Sequence, residues 1–152
     1  MEIKKILCPV DFSEISANAL EYAVFLGSHH HAELFLLHVV EQLYEFENYQ
    51  ILVFTPQELA ENMEKHAYEE LNKLTEQLKK TITVKAVVRQ GKAFVEIVRE
   101  AKEKDVDMIV MGSHGRTGIS HILMGSVAER VVRKANCPVL IVRDKNAQFD
   151  IP

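Results

Sequence analysis

The chain has 152 residues, 47% hydrophobic and 26% charged, with a formal net charge of −4 at pH 7 and seven histidines. This suits one globular domain with a real core and argues against non-specific nucleic-acid binding, which needs a basic face. No apolar run approaches the roughly 18 residues that cross a bilayer, so no membrane insertion is expected.

The N-terminal stretch MEIKKILCPVDFSE turns acidic after a short apolar run and lacks a cleavage pattern, so a cytoplasmic location is expected. Ile3–Val10 reads as a first strand. A helix follows from about Ser13 to Ser28, with Leu20, Ala23, Val24 and Gly27 on one face. His29–His31 falls where that helix should end. Histidines are favoured there by the helix dipole, which competes with reading the tract as a metal site. Ala32–Val40 is a continuous apolar run of the kind found in a strand buried on both faces.

Glu41–Phe54 is long for a connection and carries four of the eleven aromatic residues, Tyr44, Phe46, Tyr49 and Phe54. It reads as a packed loop, with a lid or partner surface as the alternative. Thr55-Pro56-Gln57-Glu58 is a capping box that opens a second helix, with an apolar stripe at Met63, Ala67, Leu71, Leu74 and Leu78. A third strand is expected over Thr81–Val88, then a helix marked by Phe94, Ile97, Val98 and Ala101. Val106–Gly112 and Pro138–Arg143 are the fourth and fifth strands. Ser126-Val127-Ala128-Glu129 reads as a capping box opening the last helix, which ends near Asn136. Five strands alternating with four helices predict a parallel α/β sheet covered on both faces. Cys8 and Cys137 form no CxxC pair, so reduced thiols are expected rather than a disulfide or zinc framework.

Four of the six glycines, Gly112, Gly115, Gly118 and Gly125, lie in GSHGRTGISHILMGS directly after the fourth strand. In open α/β sheets, ligands bind beyond the carboxyl ends of the strands where the strand order reverses. If the first and fourth strands adjoin, their outgoing loops, PVDFS and GSHGRTG, form a crevice there. Glycine backbone and a helix N-terminus suit an anion. Gly112 would turn the chain out of the sheet, and Gly115 would let backbone approach phosphate. Gly125 and Ser126 would present amides and a hydroxyl, and Asp11 would accept from ribose hydroxyls. Each residue also has a plainer reading as cap or turn chemistry. Neither the P-loop GxxxxGK[ST] nor GxGxxG is present. The pattern present is G-x2-G-x9-G-S, at Gly112, Gly115, Gly125 and Ser126.

With ILCPVDFSE, LFLLHVVE, VDMIVMGSHGRTG and LMGSVAERVVRKANCPVLIVR in order, the chain resembles the universal stress proteins, in their ATP-binding branch. The resemblance covers nearly all of it. It implies a doubly wound five-stranded parallel sheet of order 3-2-1-4-5, a nucleotide-binding domain over 1–143 and a tail over 144–152. By the same resemblance Pro9 and Val10 line an adenine pocket, and Val39 reads adenine through its backbone. Asp11 holds the base or ribose, and Met111 and Gly112 border the sugar and α-phosphate. Gly115, Gly125, Ser126 and Val127 cradle the phosphates, and a divalent ion such as Mg or Mn would come with them.

The resemblance also implies a homodimer through the fifth strand and a role in stress response or signalling, with an unidentified protein partner. His114, His121 and Arg116 are open as phosphate contacts. No nucleophile, base and orienting group can be assembled from spacing, so no catalytic residue is assigned. A slow ATP phosphohydrolase and a fold-only interaction protein remain the alternatives.

Overall fold

The computed structural model describes residues 2–41, 55–115 and 124–143. Along them run β1 (Lys5–Pro9), α1 (Glu14–His30), β2 (Glu33–Val40), α2 (Pro56–Leu78) and β3 (Val84–Gln90), then α3 (Ala93–Glu103), β4 (Met108–Gly112), α4 (Ser126–Lys134) and β5 (Val139–Val142). All strand pairs are parallel and the order is β3-β2-β1-β4-β5, as the resemblance implies.

Strand alternation sorts the side chains into two cores. Ile6, Cys8, Leu34 and Leu36 pack with Ala19, Leu20 and Ala23 of α1 and Leu71 of α2. Leu7, Phe35, Leu37, Ile109 and Met111 face the other way, onto Ile97 and Ala101 of α3 and Ala128 and Val131 of α4. The central strands therefore have no wet face, which is why they read as unbroken apolar runs. Glu100 of α3 is fully buried, and its Oε2 accepts from Arg89 Nε of β3 at 2.7 Å, tying helix to sheet edge with a charge-assisted bond.

Local chemistry sets the helix ends. At α2, Glu58 N donates to Thr55 Oγ1 at 3.2 Å and Thr55 N donates to Glu58 Oε2 at 2.7 Å, the reciprocal pair expected of a capping box. At the end of α1, His31 takes a left-handed φ of 54° and its N–H donates to Gly27 O. All five strands start one to three residues later than the sequence suggests, and hydrogen bonds show why at two of them. Thr81 N and Ile82 N both donate to Leu78 O, so these residues finish the turn after α2 and β3 begins at Val84. Val106 N donates to Ala101 O, closing α3 in the same way, and β4 begins at Met108.

Cys8 is wholly buried at the centre of β1, and that burial pushes its thiol up to about 12. The thiolate, which is the nucleophile, is thereby suppressed. Cys8 is expected to resist iodoacetamide at mildly alkaline pH in the folded protein and to react fully in guanidinium. Alkylation of the native chain at Cys8, read by peptide mass spectrometry, would contradict this burial.

Candidate functional site

β1 and β4 are neighbours at the centre of the sheet. β1 pairs with β2 as far as Pro9↔Leu37, and β4 pairs with β5 as far as Gly112↔Val142. Between β1 and β4 the register is Ile6↔Met108 and Leu7↔Ile109, and the ladder goes no further. The two strands therefore part toward their carboxyl ends, and the loops after Pro9 and Gly112 flank the opening. This is the strand-order reversal where α/β sheets take ligands.

Asp11 stands on one side. Its Oδ1 accepts from Ser13 N at 3.0 Å and from Ser13 Oγ at 2.5 Å. Ser13 is the N-cap of α1, and its hydroxyl oxygen accepts from Ser16 N at 3.2 Å. One carboxylate oxygen thus braces the cap, in keeping with the helix-terminus reading of Asp11. The other oxygen faces the opposite loop: a Cβ built on Gly115 would lie 2.9 Å from Asp11 Oδ2. Gly115 does not have a positive φ, so a side chain there is limited only by the end of the Asp11 side chain and not by backbone conformation.

Gly112 and Gly125 also answer to close approach. A Cβ on Gly112 would lie 2.7 Å from Ile15 Cγ2 and 3.3 Å from the His114 carbonyl oxygen. On Gly125 it would meet the Ser113 carbonyl oxygen at 3.1 Å and His114 Cα at 3.3 Å. Gly125 N donates to that Ser113 oxygen at 2.7 Å, which draws the two ends of the loop together.

This contact corrects the expected capping box. The N-cap of α4 is Gly125, Ser126 is the first helical residue, and no side chain caps the helix. With Gly125 held against Ser113, the helix starts one residue earlier than the Ser126 cap requires. Glu129 N then donates to Gly125 O, while the Glu129 side chain pairs with Arg133 Nη2 at 2.9 Å. The Ser126 side chain, exposed, is not used as a cap, and among the described residues no side chain accepts from the first amides of α4. Beside Gly125, His114 Nδ1 lies 3.0 Å from Ser113 Oγ, and its buried Nε2 has no hydrogen-bond partner.

On β2, odd-numbered residues aim their backbone polar groups toward β1, since Glu33 N donates to Lys4 O and Leu37 O accepts from Val10 N. Val39 shares that direction at a level where the β1 ladder has ended, so its amide and carbonyl face the opening. The side chains of Val39, Met111 and Val127 all join the core under α3 and α4. Val10 is placed differently. Its side chain belongs to the core under α1 and α2, and its N–H is taken by Leu37 O. Pro9, half-buried, ends β1.

His38, which the sequence reading did not single out, borders this loop: its Nδ1 is 2.8 Å from Val10 O and its ring stacks on Phe12. The one local signal was a polar residue inside the apolar run LLHVV. His29–His31 lie at the end of α1 that leads into β2, away from the opening. Arg116, Gly118, His121, most of 41–54 and all of 144–152 fall outside the described residues. Among the described residues, no group of three or more His, Cys, Asp or Glu is placed to hold a metal ion, and no helix is long and apolar enough to cross a membrane.

The model of the universal stress protein family matches residues 2–143. Universal stress protein MJ0577 of Methanocaldococcus jannaschii is 37% identical over 95% of this chain and 97% of its own. The solved structure of hypothetical protein MJ0577 superposes with a TM-score of 0.83 at 35% identity, covering 96% of this chain and 99% of that one. A universal stress protein from Archaeoglobus fulgidus, solved in complex with dAMP, shares the fold at a TM-score of 0.64 and 22% identity, covering 93% and 99%.

The glycine contacts differ in kind. Gly112→Ala meets a packed side chain and backbone, so it is expected to cost about 1–3 kcal/mol of stability. Gly115→Ala meets only the end of the Asp11 side chain and should cost less. Equal melting temperatures for the two variants would contradict this ordering.

Proposed function

We propose that this chain, which belongs to the universal stress protein family, binds ATP in the opening between β1 and β4. On this reading it is a nucleotide-dependent stress-response or signalling module of the cytoplasm. The observation that carries the reading is the uncapped N-terminus of α4 at Gly125-Ser126, on the glycine loop that faces Asp11 across the strand-order reversal. Unfilled helix amides with the positive end of the dipole favour phosphate, and a carboxylate oxygen opposite them can accept from sugar hydroxyls.

The proposed roles follow from placement. The Val39 amide and carbonyl read the adenine edge, beside Pro9. Val10 borders the pocket only as backbone, since its side chain is in the core and its N–H and carbonyl meet Leu37 O and His38 Nδ1. Asp11 Oδ2 accepts from the ribose. Met111 and Gly112 border the sugar and α-phosphate. Amides of Gly115, Ser126 and Val127 and the Ser126 hydroxyl hold the phosphates, Gly125 borders them with its own N–H taken by Ser113 O, and a Mg or Mn ion is carried by the ATP. The orphaned Nε2 of His114 is a further group that a phosphate oxygen would satisfy. Residues 1–143 form the binding domain, 144–152 a tail, and the bound state is relayed to a protein partner.

The dAMP complex of the Archaeoglobus fulgidus protein speaks for what the fold can hold, not for the residues of this chain. No catalytic residue is assigned. Slow ATP hydrolysis is the alternative, and phosphate release per bound nucleotide separates the two.

Calorimetry is expected to find ATP bound more tightly than GTP, because backbone groups at Val39 match one purine edge. Asp11→Ala should weaken ATP by about 1–3 kcal/mol, the range for a lost hydrogen bond to a charged group. Gly115→Val should weaken it in a folded protein, by filling the space before Asp11 Oδ2. Equal affinity for both nucleotides, or wild-type affinity in either variant, would remove the corresponding assignment.

A homodimer through β5 is part of the same proposal. β5 is an edge of the sheet, with Val139, Leu140 and Ile141 half-buried and no charge among them. Pro138, which has no N–H to donate, precedes it, as suits an edge. An unguarded edge invites pairing with a second chain, and a two-fold axis closes the assembly. Light scattering should report twice the chain mass, and Leu140→Pro should lower it toward one. A wild-type monomer at micromolar concentration would refute the pairing.

A further inference from the structure

β1 leaves the sheet at Val10, whose N–H makes a last bond of 2.8 Å to Leu37 O. The Val10 carbonyl and the Asp11 N–H belong to one rigid peptide plane. Side chains approach both edges of that plane. His38 Nδ1 lies 2.8 Å from Val10 O, whereas the Asp11 N–H reaches Ser16 Oγ only at 3.4 Å, long for a hydrogen bond. The His38 bond is the stronger restraint. A carbonyl oxygen only accepts, so Nδ1 carries the proton and the tautomer of a neutral ring is set.

The residue after Asp11 is restrained by the same ring. Phe12 has φ of 63°, a left-handed conformation that a bulky side chain rarely adopts. Its ring lies on the His38 imidazole with centroids 4.6 Å apart and planes 30° apart. One imidazole therefore holds the peptide before Asp11 with its edge and the residue after it with its face. Turning the Val10–Asp11 plane would swing the Asp11 carboxylate away from Gly115.

We infer that His38 is a positioning residue of the nucleotide site. It fixes the Val10–Asp11 peptide and Phe12 so that Asp11 Oδ2 faces Gly115, on the side where the ATP reading puts the hydroxyls of a nucleoside. The inference rests on the ATP reading above and adds to it a residue that need not touch the ligand.

The test uses the full chain, with ATP affinity by calorimetry and the melting temperature recorded for each variant. His38→Phe keeps a ring face and removes the donor, so ATP binding should weaken roughly five- to tenfold, the worth of about one hydrogen bond. His38→Asn returns an N–H near the place of Nδ1 and should bring affinity back to within about twofold of wild type. In an Asp11→Ala background, His38→Phe should change affinity no further, because both changes act through one carboxylate.

Wild-type affinity in folded His38→Phe, or a loss that adds to that of Asp11→Ala, would overturn the inference alone. A wild-type chain that binds no ATP would overturn it together with the reading beneath it. Should His38→Phe fail to fold, His38→Asn decides: a tenfold loss there overturns the role of the donor. Nitrogen-15 shifts of the wild-type imidazole should report the Nδ1–H tautomer, and the Nε2–H tautomer would contradict the geometry without any ligand.

Discussion

The short pairing of β1 with β4, Ile6↔Met108 and Leu7↔Ile109, is the contact on which the rest of the molecule depends. It joins the half of the chain that winds outward through β2 and β3 to the half that winds outward through β4 and β5. Ile6, Leu7, Cys8 and Ile109 are all fully buried at this seam. Strands covered on both faces have no polar surface of their own, so chemistry can gather only at their ends. At the carboxyl end the seam opens, and the loops from the two halves meet there without being paired.

Close backbone approach holds those loops. Gly112 lets α1 settle against the end of β4 through Ile15, and Gly125 lets α4 begin against Ser113. The same contact that brings Gly125 in displaces Ser126 from the cap and leaves the helix amides without a side-chain acceptor among the described residues. A structural economy in one place thus leaves, in another, the helix end at which the proposal puts an anion. On the facing loop Asp11 divides its two oxygens, one on the Ser13 cap and one toward Gly115. In the proposed site, stability and recognition would fall on this one side chain.

The periphery is built on different terms. At the β3 edge, Arg89 spans the buried Glu100 and the exposed Glu103, and the bond to Glu100 raises the guanidinium above its already high range. Lys85 and Lys104 lie over the Phe35 ring at 5.7 and 6.0 Å. Charged side chains cover this edge with their stems and heads, which blunts it against pairing. β5 carries no such charges within its span, Val139–Val142, and the two edges of one sheet are therefore chemically unlike.

Periodicity and local capping were legible in the sequence. The strand within Ile3–Val10, the Thr55–Glu58 capping box and the end of the first helix at the histidine tract each depend on neighbours a few residues away. The glycine spacing and the resemblance it supports pointed to the carboxyl end of β4 for similar reasons. Strand starts were less legible, because Ile82 and Val106 are as apolar as the strands they precede and only their bonds to Leu78 and Ala101 reveal them as turn residues.

Three features were set by contacts with distant parts of the chain. The cap of α4 moved to Gly125 because of a carbonyl at Ser113. Val10 and Val39, assigned to one pocket, send their side chains to opposite cores because the pleat alternates. His38 restrains a peptide 28 positions away. By itself the sequence determined which segments form helices and strands, since those preferences are local. Which side chains meet at the opening was decided only by the tertiary structure, because packing both faces of the sheet fixes contacts that spacing along the chain does not encode.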